Sequence, residues 1–441
     1  MVRSEGGTDM DEIERLSEAI RFRTVAGNWE EFSKLKDFLE RCFPMVHSKL
    51  KVSKINEYAL LYEWDVGSQE AVLLLAHTDV VPASEEGWVH HPFSGDVADG
   101  FVWGRGTLDD KSSVMGLLEA VERLLSEGFE PRHNLLLAFG FDEETKGYLG
   151  AKKIAEHLQN RKIRIRAILD EGSAIVKGVI SKIGKPIALI GIAEKGYASF
   201  DLVAKGKGGH SSTPERNTPL ERMANAIQRI FRYRSRTVLT RSTEEFLKTL
   251  SRLWGFPLNV LLKNPKLTLP LLEPAFSKIP SLNAMLRTTM CVTMINAGVA
   301  DNVVPEKVVA TVNCRIIPGE TAEQVFERLK QIVEDLQIEV VKNENWQVSD
   351  PVPDTDPNDE FYRILSETIQ QTFLDVVVSP YLTVGATDSR HYKSLCQNIY
   401  RFSPLIMDRE LLETVHGKNE RVSVESYKKM CDFYTALMKK L

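Results

Sequence analysis

Three short apolar runs along the chain have the length and the abrupt ends of buried strands. They cover residues 71–76, 135–141 and 163–169, with sequences such as AVLLLA and LLLAFGF. Continuous apolar runs of this length are typical of strands in a sheet that is covered on both faces. Helical periodicity precedes and separates these runs, over residues 11–20, 30–43, 112–125 and 147–158. The alternation of strand and helix predicts an α/β fold with a mainly parallel sheet.

The pattern of apolar positions changes after Gly196. Residues 197–204 alternate like a half-exposed antiparallel strand, and the glycine-rich loop KGKGGHSS follows them. If residues 236–290 are set aside, the later elements run β-α-β-β-α-β, which is the order of a split-βαβ domain. A chain of 441 residues also exceeds what one core usually supports. We therefore expect two domains, a main one over 1–195 and 347–441 and an inserted one over 196–346, with an extra apolar segment at about 236–290.

Composition and charge narrow the class of protein. The chain has 43% hydrophobic residues, 27% charged residues and a formal net charge of −5, which argues against nucleic acid as a partner. No run reaches the ~18 apolar residues of a membrane span, and the first residues lack the apolar stretch of a signal peptide. Five cysteines are scattered without any CxxC pair. We therefore expect free thiols and a cytoplasmic location.

Acidic residues and a histidine follow directly after the predicted strands. His77 and Asp79 follow the first strand, a run of three acids at 142–144 follows the second, and Asp170 and Glu171 follow the third. Active sites of open α/β sheets lie at the carboxyl ends of the strands. Carboxylates that converge there repel one another unless cations lie between them. Histidine and carboxylate donors suit zinc, cobalt or manganese, so the pattern predicts a metal site with more than one ion.

The needs of a two-metal site suggest roles for several residues. His77 and Asp79 are two residues apart on an extended segment, so His77 can bind metal while Asp79 fixes its tautomer. A carboxylate must bridge two cations that lie ~3.5–4 Å apart, and Asp109 is the candidate. Of the adjacent Glu143 and Glu144, one can bind metal while the other takes a proton from water. Each motif alone is more typical of a turn, a helix cap or a solvated face, so the prediction rests on their combination.

The combined motifs resemble the dizinc aminoacylase and carboxypeptidase family, and most of all its Gly-Xaa carboxypeptidase and N-fatty-acyl-amino-acid hydrolase branch. The resemblance covers nearly the whole chain and is carried by AHTDVVP, GRGTLDDK, FDEETKG, ILDEG and VHGKNE. It implies two Zn²⁺ ions per subunit, with Co²⁺ or Mn²⁺ as possible substitutes. It also implies a dizinc-peptidase catalytic domain and an inserted ferredoxin-like α+β lid, through which the chain forms a homodimer.

The resemblance also implies a role for each residue of the site. Asp79 orients the first metal-binding histidine, and Glu143 is the general base. In the third strand-end motif Asp170 is the expected ligand, with Glu171 the less favoured alternative. The expected metal ligands are His77 and Asp170 for the first ion, Asp109 for both ions, and Glu144 and His416 for the second.

Four further positions resemble substrate contacts of the same family. His210 in GGHSSTP reaches the substrate carbonyl there, although without the family this sequence is equally typical of a hairpin turn. Asn302 and Arg315 resemble a polar pair that contacts the substrate, and the planar fork of Arg315 suits an α-carboxylate. Gly385 lies in a turn that faces the same carboxylate in the family.

The resemblance implies an enzyme that hydrolyses an amide bond of an N-acyl amino acid or a Gly-Xaa dipeptide and releases a free amino acid. A strict dipeptidase or a short-acyl deacylase is the alternative, because it would share every metal residue and differ only in its pocket walls. A binding protein without catalysis is disfavoured, since Glu143 accompanies a complete set of ligands. Relatives in the branch are often secreted or vacuolar, whereas we expect no signal peptide here, which leaves the physiological substrate open.

The segment 253–276, LWGFPLNVLLKNPKLTLPLLEPAF, is unusually apolar and contains four prolines. It is most typical of a helical cap that packs on the small domain. An alternative hypothesis is that it forms an apolar wall for a long acyl chain or a bulky side chain.

Overall fold

The computed structural model describes residues 10–180, 183–343 and 348–441. The chain divides into two compact units, of which the first comprises Met1–Ile192, Thr355–Tyr381 and Thr387–Leu441, and the second Ala193–Asp354 and Leu382–Ala386. The predicted boundary between residues 346 and 347 lies outside the described residues. The first nine residues, for which we expect no signal peptide, lie outside them as well.

The helices and strands follow one another in three stretches of the chain. The elements up to residue 194 are α1 (Glu12–Arg21), α2 (Trp29–Cys42), α3 (Pro44–Lys49), β1 (Lys51–Ile55), β2 (Ala59–Trp64), β3 (Ala71–His77), β4 (Val97–Ala98), β5 (Phe101–Trp103), α4 (Lys111–Ser126), β6 (Asn134–Gly140), α5 (Ala151–Asn160), β7 (Ile165–Asp170), β8 (Ile175–Val176) and β9 (Ile187–Glu194). Those of the second unit are β10 (Gly196–Lys205), β11 (Gly209–His210), α6 (Pro219–Arg232), α7 (Arg241–Ser251), α8 (Leu258–Leu261), α9 (Pro265–Phe276), α10 (Pro280–Leu286), β12 (Thr289–Ala297), β13 (Val303–Val304), β14 (Lys307–Ile316), α11 (Ala322–Val333), β15 (Ile338–Val341) and β16 (Val348–Ser349). The last stretch contains α12 (Glu360–Thr372), β17 (Val377–Thr383), β18 (Ile399–Arg401), β19 (Ile406–Met407), α13 (Arg409–Thr414), β20 (Arg421–Ser423) and α14 (Val424–Met438).

The large sheet of the first unit has the order β1-β2-β6-β3-β7-β18-β9-β8-β19, and β17 pairs with β9. Its central strands β6, β3, β7 and β18 are parallel, whereas β1, β2 and β9 pair antiparallel with their neighbours. Strand β3 is buried along its whole length, as its continuous apolar sequence predicts. Because β6, β3 and β7 are parallel neighbours, their carboxyl ends meet at one edge of the sheet, where His77 lies opposite Gly140.

Helix α4 is the centre of the helical layer in this unit. It packs against α1, α3 and α14, and its apolar residues are buried on several sides. Gly116 allows the close approach to α14, since a Cβ added there would lie 3.1 Å from the side chain of Met430. The helix begins at Lys111, directly after the GRGTLDD turn, so its packing fixes the position of Asp109.

The second unit is built on an antiparallel sheet with the order β12-β14-β10-β15, in which β16 also pairs with β10. Helices α6 and α11 pack on this sheet, and their residues share one core with Phe200 and Leu202 of β10. The element order β-α-β-β-α-β with this strand order is the split-βαβ arrangement.

Strand β10 differs from the prediction in one respect. Residues 197–204 were expected to be half exposed, yet β10 is buried along nearly its whole length because it is a central strand. Its polar side chains are buried with hydrogen-bond partners: Asp201 accepts from the Thr311 hydroxyl at 2.8 Å and from the Asn343 amide at 2.7 Å. The alternation of polar and apolar residues therefore distinguished the two faces of β10 correctly. It did not show that the polar face would be exposed to solvent, because buried polar side chains can be paired with hydrogen-bond partners.

The apolar segment between α6 and β12 folds into the short helices α7 to α10. Arg287, which follows α10, is buried and forms an ion pair with Glu273 and a 3.0 Å hydrogen bond to Ser277. The buried Lys195 ammonium donates to the carbonyl oxygens of Ala284 (2.9 Å) and Arg287 (2.8 Å). These buried polar contacts attach the helical segment to the start of β10.

Two further features concern the helices and the cysteines. Among the described residues, no helix is both long enough and apolar enough to cross a membrane. All five cysteines are free, and Cys42, Cys314 and Cys431 are buried.

Candidate dimetal centre

The histidine at the end of β3 is held in one orientation. His77 is buried, and its Nδ1 lies 3.0 Å from the carbonyl oxygen of Asp79 and 3.3 Å from the Asp79 carboxylate. The same carboxylate accepts the N–H groups of Glu143 (3.2 Å) and Glu144 (3.0 Å). Asp79 therefore leaves Nε2 of His77 facing the site and ties the end of β3 to the turn after β6.

Asp109 lies between two histidines. Its Oδ1 is 2.9 Å from Nε2 of His77, and its Oδ2 is 2.9 Å from Nε2 of His416. His416, in the loop after α13, also lies 3.2 Å from Oε1 of Glu144. The two oxygens of the Asp109 carboxylate thus face two different histidines, as a ligand that bridges two ions requires.

Two groups of potential metal ligands share Asp109. The first contains His77, Asp109 and Glu171, and the second contains Asp109, Glu144 and His416. Within each group the ligand atoms lie within 4.8 Å of one another. Four of the seven predicted metal and catalytic residues belong to these groups: His77, Asp109, Glu144 and His416. A fifth, Asp79, contacts the His77 ring.

The two acids of the ILDEG motif lie in different surroundings. Asp170 was expected to bind the first ion, but it is Glu171 that lies with His77 and Asp109. Both oxygens of Asp170 accept backbone N–H groups, one from Glu171 at 2.9 Å and one from Ser389 at 2.7 Å. Asp170 is the last residue of β7, and neighbouring side chains of a strand point to opposite sides. The side chain that follows the strand is therefore the one that reaches the cluster.

Glu143 lies beside the two groups without being part of either. It begins a short 3₁₀ turn, Glu143–Thr145, and its Oε1 lies 3.6 Å from Nη1 of Arg390. Burial and the nearby carboxylate of Asp388 raise the pKa of Glu143 well above its usual value. A carboxyl group with a raised pKa, next to a metal ligand, has the properties of a general base.

The electrostatics of the cluster fit divalent cations. Burial raises the pKa of Glu171 and of Glu144, and neighbouring carboxylates raise both further. Hydrogen bonds to Asp109 and Glu144 raise the pKa of His416 to about 10. Buried carboxylates that repel one another are stabilised by a bound cation. Two imidazoles with three carboxylates are also the donor set that zinc and similar borderline ions prefer.

His210 and Asn302 lie together in the second unit. His210 is in β11, which pairs with β13, and the carbonyl oxygen of Asn302 accepts the N–H of Ser211 at 3.0 Å. Nδ1 of His210 accepts the N–H of Ser212 at 3.1 Å and lies 2.8 Å from its hydroxyl. A proton on the exposed His210 ring is therefore placed on Nε2. The GGHSSTP sequence does form a turn, as its alternative interpretation held.

The other two predicted substrate contacts have separate surroundings. Arg315 is half buried in β14, and its guanidinium lies 4.7 Å from the centre of the Tyr197 ring, on the neighbouring strand. Gly385 is exposed, and a Cβ added there would meet open space. Stacking on Tyr197 keeps the plane of the Arg315 guanidinium in a defined orientation.

Residues 73–440 match the sequence profile of peptidase family M20/M25/M40. The chain belongs to this family. It is 37% identical to the N-fatty-acyl-amino acid synthase/hydrolase PM20D1 of Xenopus tropicalis, over 97% of this chain and 85% of that protein. It is also 37% identical to the probable carboxypeptidase S-like 2 of Dictyostelium discoideum, over 98% of this chain and 85% of that protein.

A solved structure supports the fold of this M20/M25/M40 peptidase. The M20 family metallo-carboxypeptidase Sso-CP2 from Sulfolobus solfataricus matches with a TM-score of 0.73 at 18% identity, over 98% of this chain and 99% of that one. The predicted α/β class and the predicted family, including its closest branch, are confirmed. The chain is a metallopeptidase-type hydrolase that acts on amide bonds.

Two residues of the M20/M25/M40 site were not anticipated from the sequence. Glu420 is fully buried, and its Oε1 accepts the N–H groups of Gly106 and Leu108, both at 2.9 Å. Its Oε2 forms an ion pair with Arg105, which in turn donates to the carbonyl oxygen of Gly417 at 2.8 Å. The loop that carries His416 and the turn that carries Asp109 are therefore held as one structure. In the sequence, Glu420 is marked only by its position four residues after His416. That spacing does not indicate Arg105 as its partner.

A buried pair behind Glu143 was also missed. Arg390 donates to the carbonyl oxygens of Thr387 (2.8 Å) and of Lys146 (3.1 Å), and Lys146 directly follows the turn of Glu143. Asp388 is buried, and neither carboxylate oxygen has a hydrogen-bond partner among the residues that the structure describes. Burial raises the pKa of Asp388 well above its usual value.

Proposed function

We propose that the chain is a two-metal hydrolase that cleaves the amide bond of N-acyl amino acids or Gly-Xaa dipeptides and releases a free amino acid. The observation that carries the proposal is Asp109, whose two oxygens face different histidines while Glu143 stays beside the ligand groups. The acylated substrate class is supported by the relative from Xenopus tropicalis, and the free carboxylate of the product by the carboxypeptidase-like relative.

The first cation would be held by His77, Asp109 and Glu171, and the second by Asp109, Glu144 and His416. We propose Zn²⁺ for both positions, with Co²⁺ or Mn²⁺ as substitutes, because the donors are imidazole nitrogens and carboxylate oxygens. When bound, such ions supply Lewis acidity, which lowers the pKa of water and polarises an amide carbonyl.

The side chains around the ions would supply the proton transfers. Glu143 takes a proton from the attacking water and returns it to the leaving nitrogen, which its raised pKa favours. Asp79 keeps His77 in one tautomer and holds the turn of Glu143. His210 would donate its Nε2–H to the carbonyl oxygen as negative charge develops there.

The substrate carboxylate would be bound by Arg315, Asn302 and the turn at Gly385. A guanidinium that is oriented by an aromatic ring suits bidentate contact with a carboxylate. We also propose that the inserted domain, predicted over 196–346, is a lid and a dimerisation domain. Strand β12 supports a homodimer, because it is an edge strand with exposed Met294 and Ile295. A cytoplasmic location is supported by the five free cysteines.

The test is to measure metal content and hydrolysis rates in the same preparation, purified without chelator. The substrates are N-acetyl, N-lauroyl and N-oleoyl amino acids and the dipeptide Gly-Leu. We expect about two divalent ions per chain and release of free amino acid. Protein without metal would refute the dimetal site, and two ions without turnover of any substrate would refute the substrate class. Turnover of N-acetyl substrates or Gly-Leu alone would support the short-acyl deacylase or the strict dipeptidase instead.

A further inference from the structure

The helices α8 and α9 expose an apolar face to solvent. Phe256 before α8 is 84% exposed, and Leu267 and Leu271 of α9 are 80% and 72% exposed. Val260 of α8 and Ile279, which follows α9, are also exposed. We call this set of five residues the α8–α9 face.

The face follows from the sequence of α9, PKLTLPLLEPAF. Apart from Lys266, Thr268 and Glu273, all its residues are apolar. Leu269, Leu272 and Phe276 are buried and account for one side of the helix. Leu267 and Leu271 are four residues apart and lie on the other side, together with the exposed Pro270, Pro274 and Ala275. Helix α9 thus has apolar residues on its exposed side as well as on its buried side. An exposed apolar side of this kind is typical of a surface that binds another molecule or a membrane.

The face belongs to an ordered piece of the second unit. The hydroxyl of Thr268 in α9 donates to the carbonyl oxygen of Leu261 at the end of α8, at 2.5 Å. Glu273 of α9 is paired with the buried Arg287. The exposed leucines are therefore presented by helices whose positions are fixed by buried polar contacts.

The charges of the segment that carries the face are mostly positive. Residues 252–287 contain five basic residues and one acid, in a chain whose net charge is −5. The single acid, Glu273, is paired with Arg287, and Lys266 is paired with Glu244. Arg252, Lys263 and Lys278 are exposed and have no acidic partner among the residues that the structure describes. The segment that carries the apolar face therefore has three exposed basic residues whose charge is uncompensated.

We propose that the α8–α9 face binds peripherally to the surface of an anionic lipid bilayer. The exposed apolar side chains would enter the boundary between the headgroups and the acyl chains, and the flanking basic residues would contact the anionic headgroups. A protein partner would have to supply both an apolar surface and several acids at matched positions, whereas an anionic bilayer supplies both everywhere. The binding does not depend on the proposed substrate. If that substrate is a long-chain N-acyl amino acid, which partitions into lipid, docking would also place the enzyme where its substrate is concentrated.

The test is co-sedimentation of the full-length protein with vesicles of phosphatidylcholine alone or of phosphatidylcholine and phosphatidylserine in equal parts. We expect binding to the mixed vesicles and much weaker binding to the neutral ones. Lys263→Gln/Lys278→Gln should weaken binding to the mixed vesicles about 25-fold, since each basic residue near the surface contributes about fivefold. Leu267→Gln/Leu271→Gln should weaken binding by at least about tenfold.

The matched control is Leu374→Gln, because Leu374 lies in the first unit and is 83% exposed. This variant should bind the vesicles like the unmodified protein, and all variants should melt at the same temperature because the changed side chains are exposed. The proposal is overturned if the protein does not sediment with mixed vesicles, or if Leu267→Gln/Leu271→Gln and Leu374→Gln behave alike. It is also overturned if the leucine variant changes the oligomeric state while vesicle binding persists, since a second copy of the chain would then cover the face.

Discussion

The two histidines that contact Asp109 come from distant parts of the chain. His77 is 32 residues before it and His416 is 307 residues after it, yet each lies 2.9 Å from a different oxygen of the carboxylate. The residues of the site therefore have separate roles. Asp109 belongs to both ligand groups, while Glu143 belongs to neither. A residue that binds metal and a residue that moves protons should therefore respond differently to substitution.

We expect Glu143→Gln to lower kcat by about 10²–10⁴ and to leave the metal content unchanged, because the amide cannot take a proton from water. The measurement combines steady-state kinetics with elemental analysis of the same sample. Near-normal turnover with full metal content would show that another residue is the base.

Glu171 and Asp170 are adjacent acids with separable roles. We expect Glu171→Gln to lower the number of bound ions, because Glu171 lies with His77 and Asp109. Asp170→Asn should keep both ions, since its oxygens accept backbone N–H groups. Elemental analysis of the two purified variants decides between them. The opposite pattern, with metal lost only in Asp170→Asn, would support Asp170, the ligand that the ILDEG motif implies by resemblance.

At the scale of elements, the site depends on how strand ends and loops are attached. Asp79 joins the end of β3 to the turn after β6, and Glu420 joins the His416 loop to the turn before α4. In both cases one buried carboxylate satisfies several backbone N–H groups that would otherwise be unpaired. The positions of the ligands are therefore set by acids that do not belong to the ligand groups.

We expect Glu420→Gln to destabilise the protein by about 3–5 kcal/mol, because it leaves the buried Arg105 guanidinium without its charge partner. It should also weaken metal binding about 10–100-fold in competition with a chelator. Glu413→Gln is the control, because Glu413 is an exposed residue of the nearby α13. If the two variants have equal melting temperatures and equal metal affinities, Glu420 does not position the site.

The sequence predicted the site best where a candidate metal ligand directly follows a buried strand. Apolar runs marked β3, β6 and β7, and the parallel pairing of β3 and β6 brought His77 and Glu144 to the same edge of the sheet. Asp109 lies in the turn before α4. The ILDEG motif alone did not show that Glu171 would lie with His77 and Asp109, whereas Asp170, the ligand that the resemblance implies, remains a prediction. Glu420 and its partner Arg105 are 315 residues apart, and no local pattern connects them. His416 was found only through the resemblance to a family.

At the scale of the whole molecule, the chain consists of two units that have their own cores. The core of the first unit includes β3, β6, α4 and α14, and the core of the second includes β10, β14, α6 and α11. The second unit is nearly continuous in sequence, over Ala193–Asp354. A unit with its own core and a continuous chain meets the main requirement for independent folding.

We expect residues 193–354, produced alone, to fold and to unfold in one cooperative thermal transition, which circular dichroism would detect. The fragment should bind no metal at the dimetal centre, because every proposed ligand lies in the first unit. A fragment that lacks a cooperative transition would show that the second unit requires the rest of the chain to fold.

The order in which the ligands occur along the chain has a consequence for biosynthesis. A nascent polypeptide acquires His77, Asp109 and Glu171 early, and with them a complete first ligand group. The second group is completed only when His416 has been synthesised, and Glu420 follows four residues later. A chain that is truncated before residue 416 therefore keeps the residues of the first ligand group but cannot assemble the second. We expect such a truncated chain to lack hydrolytic activity even where its remaining part folds.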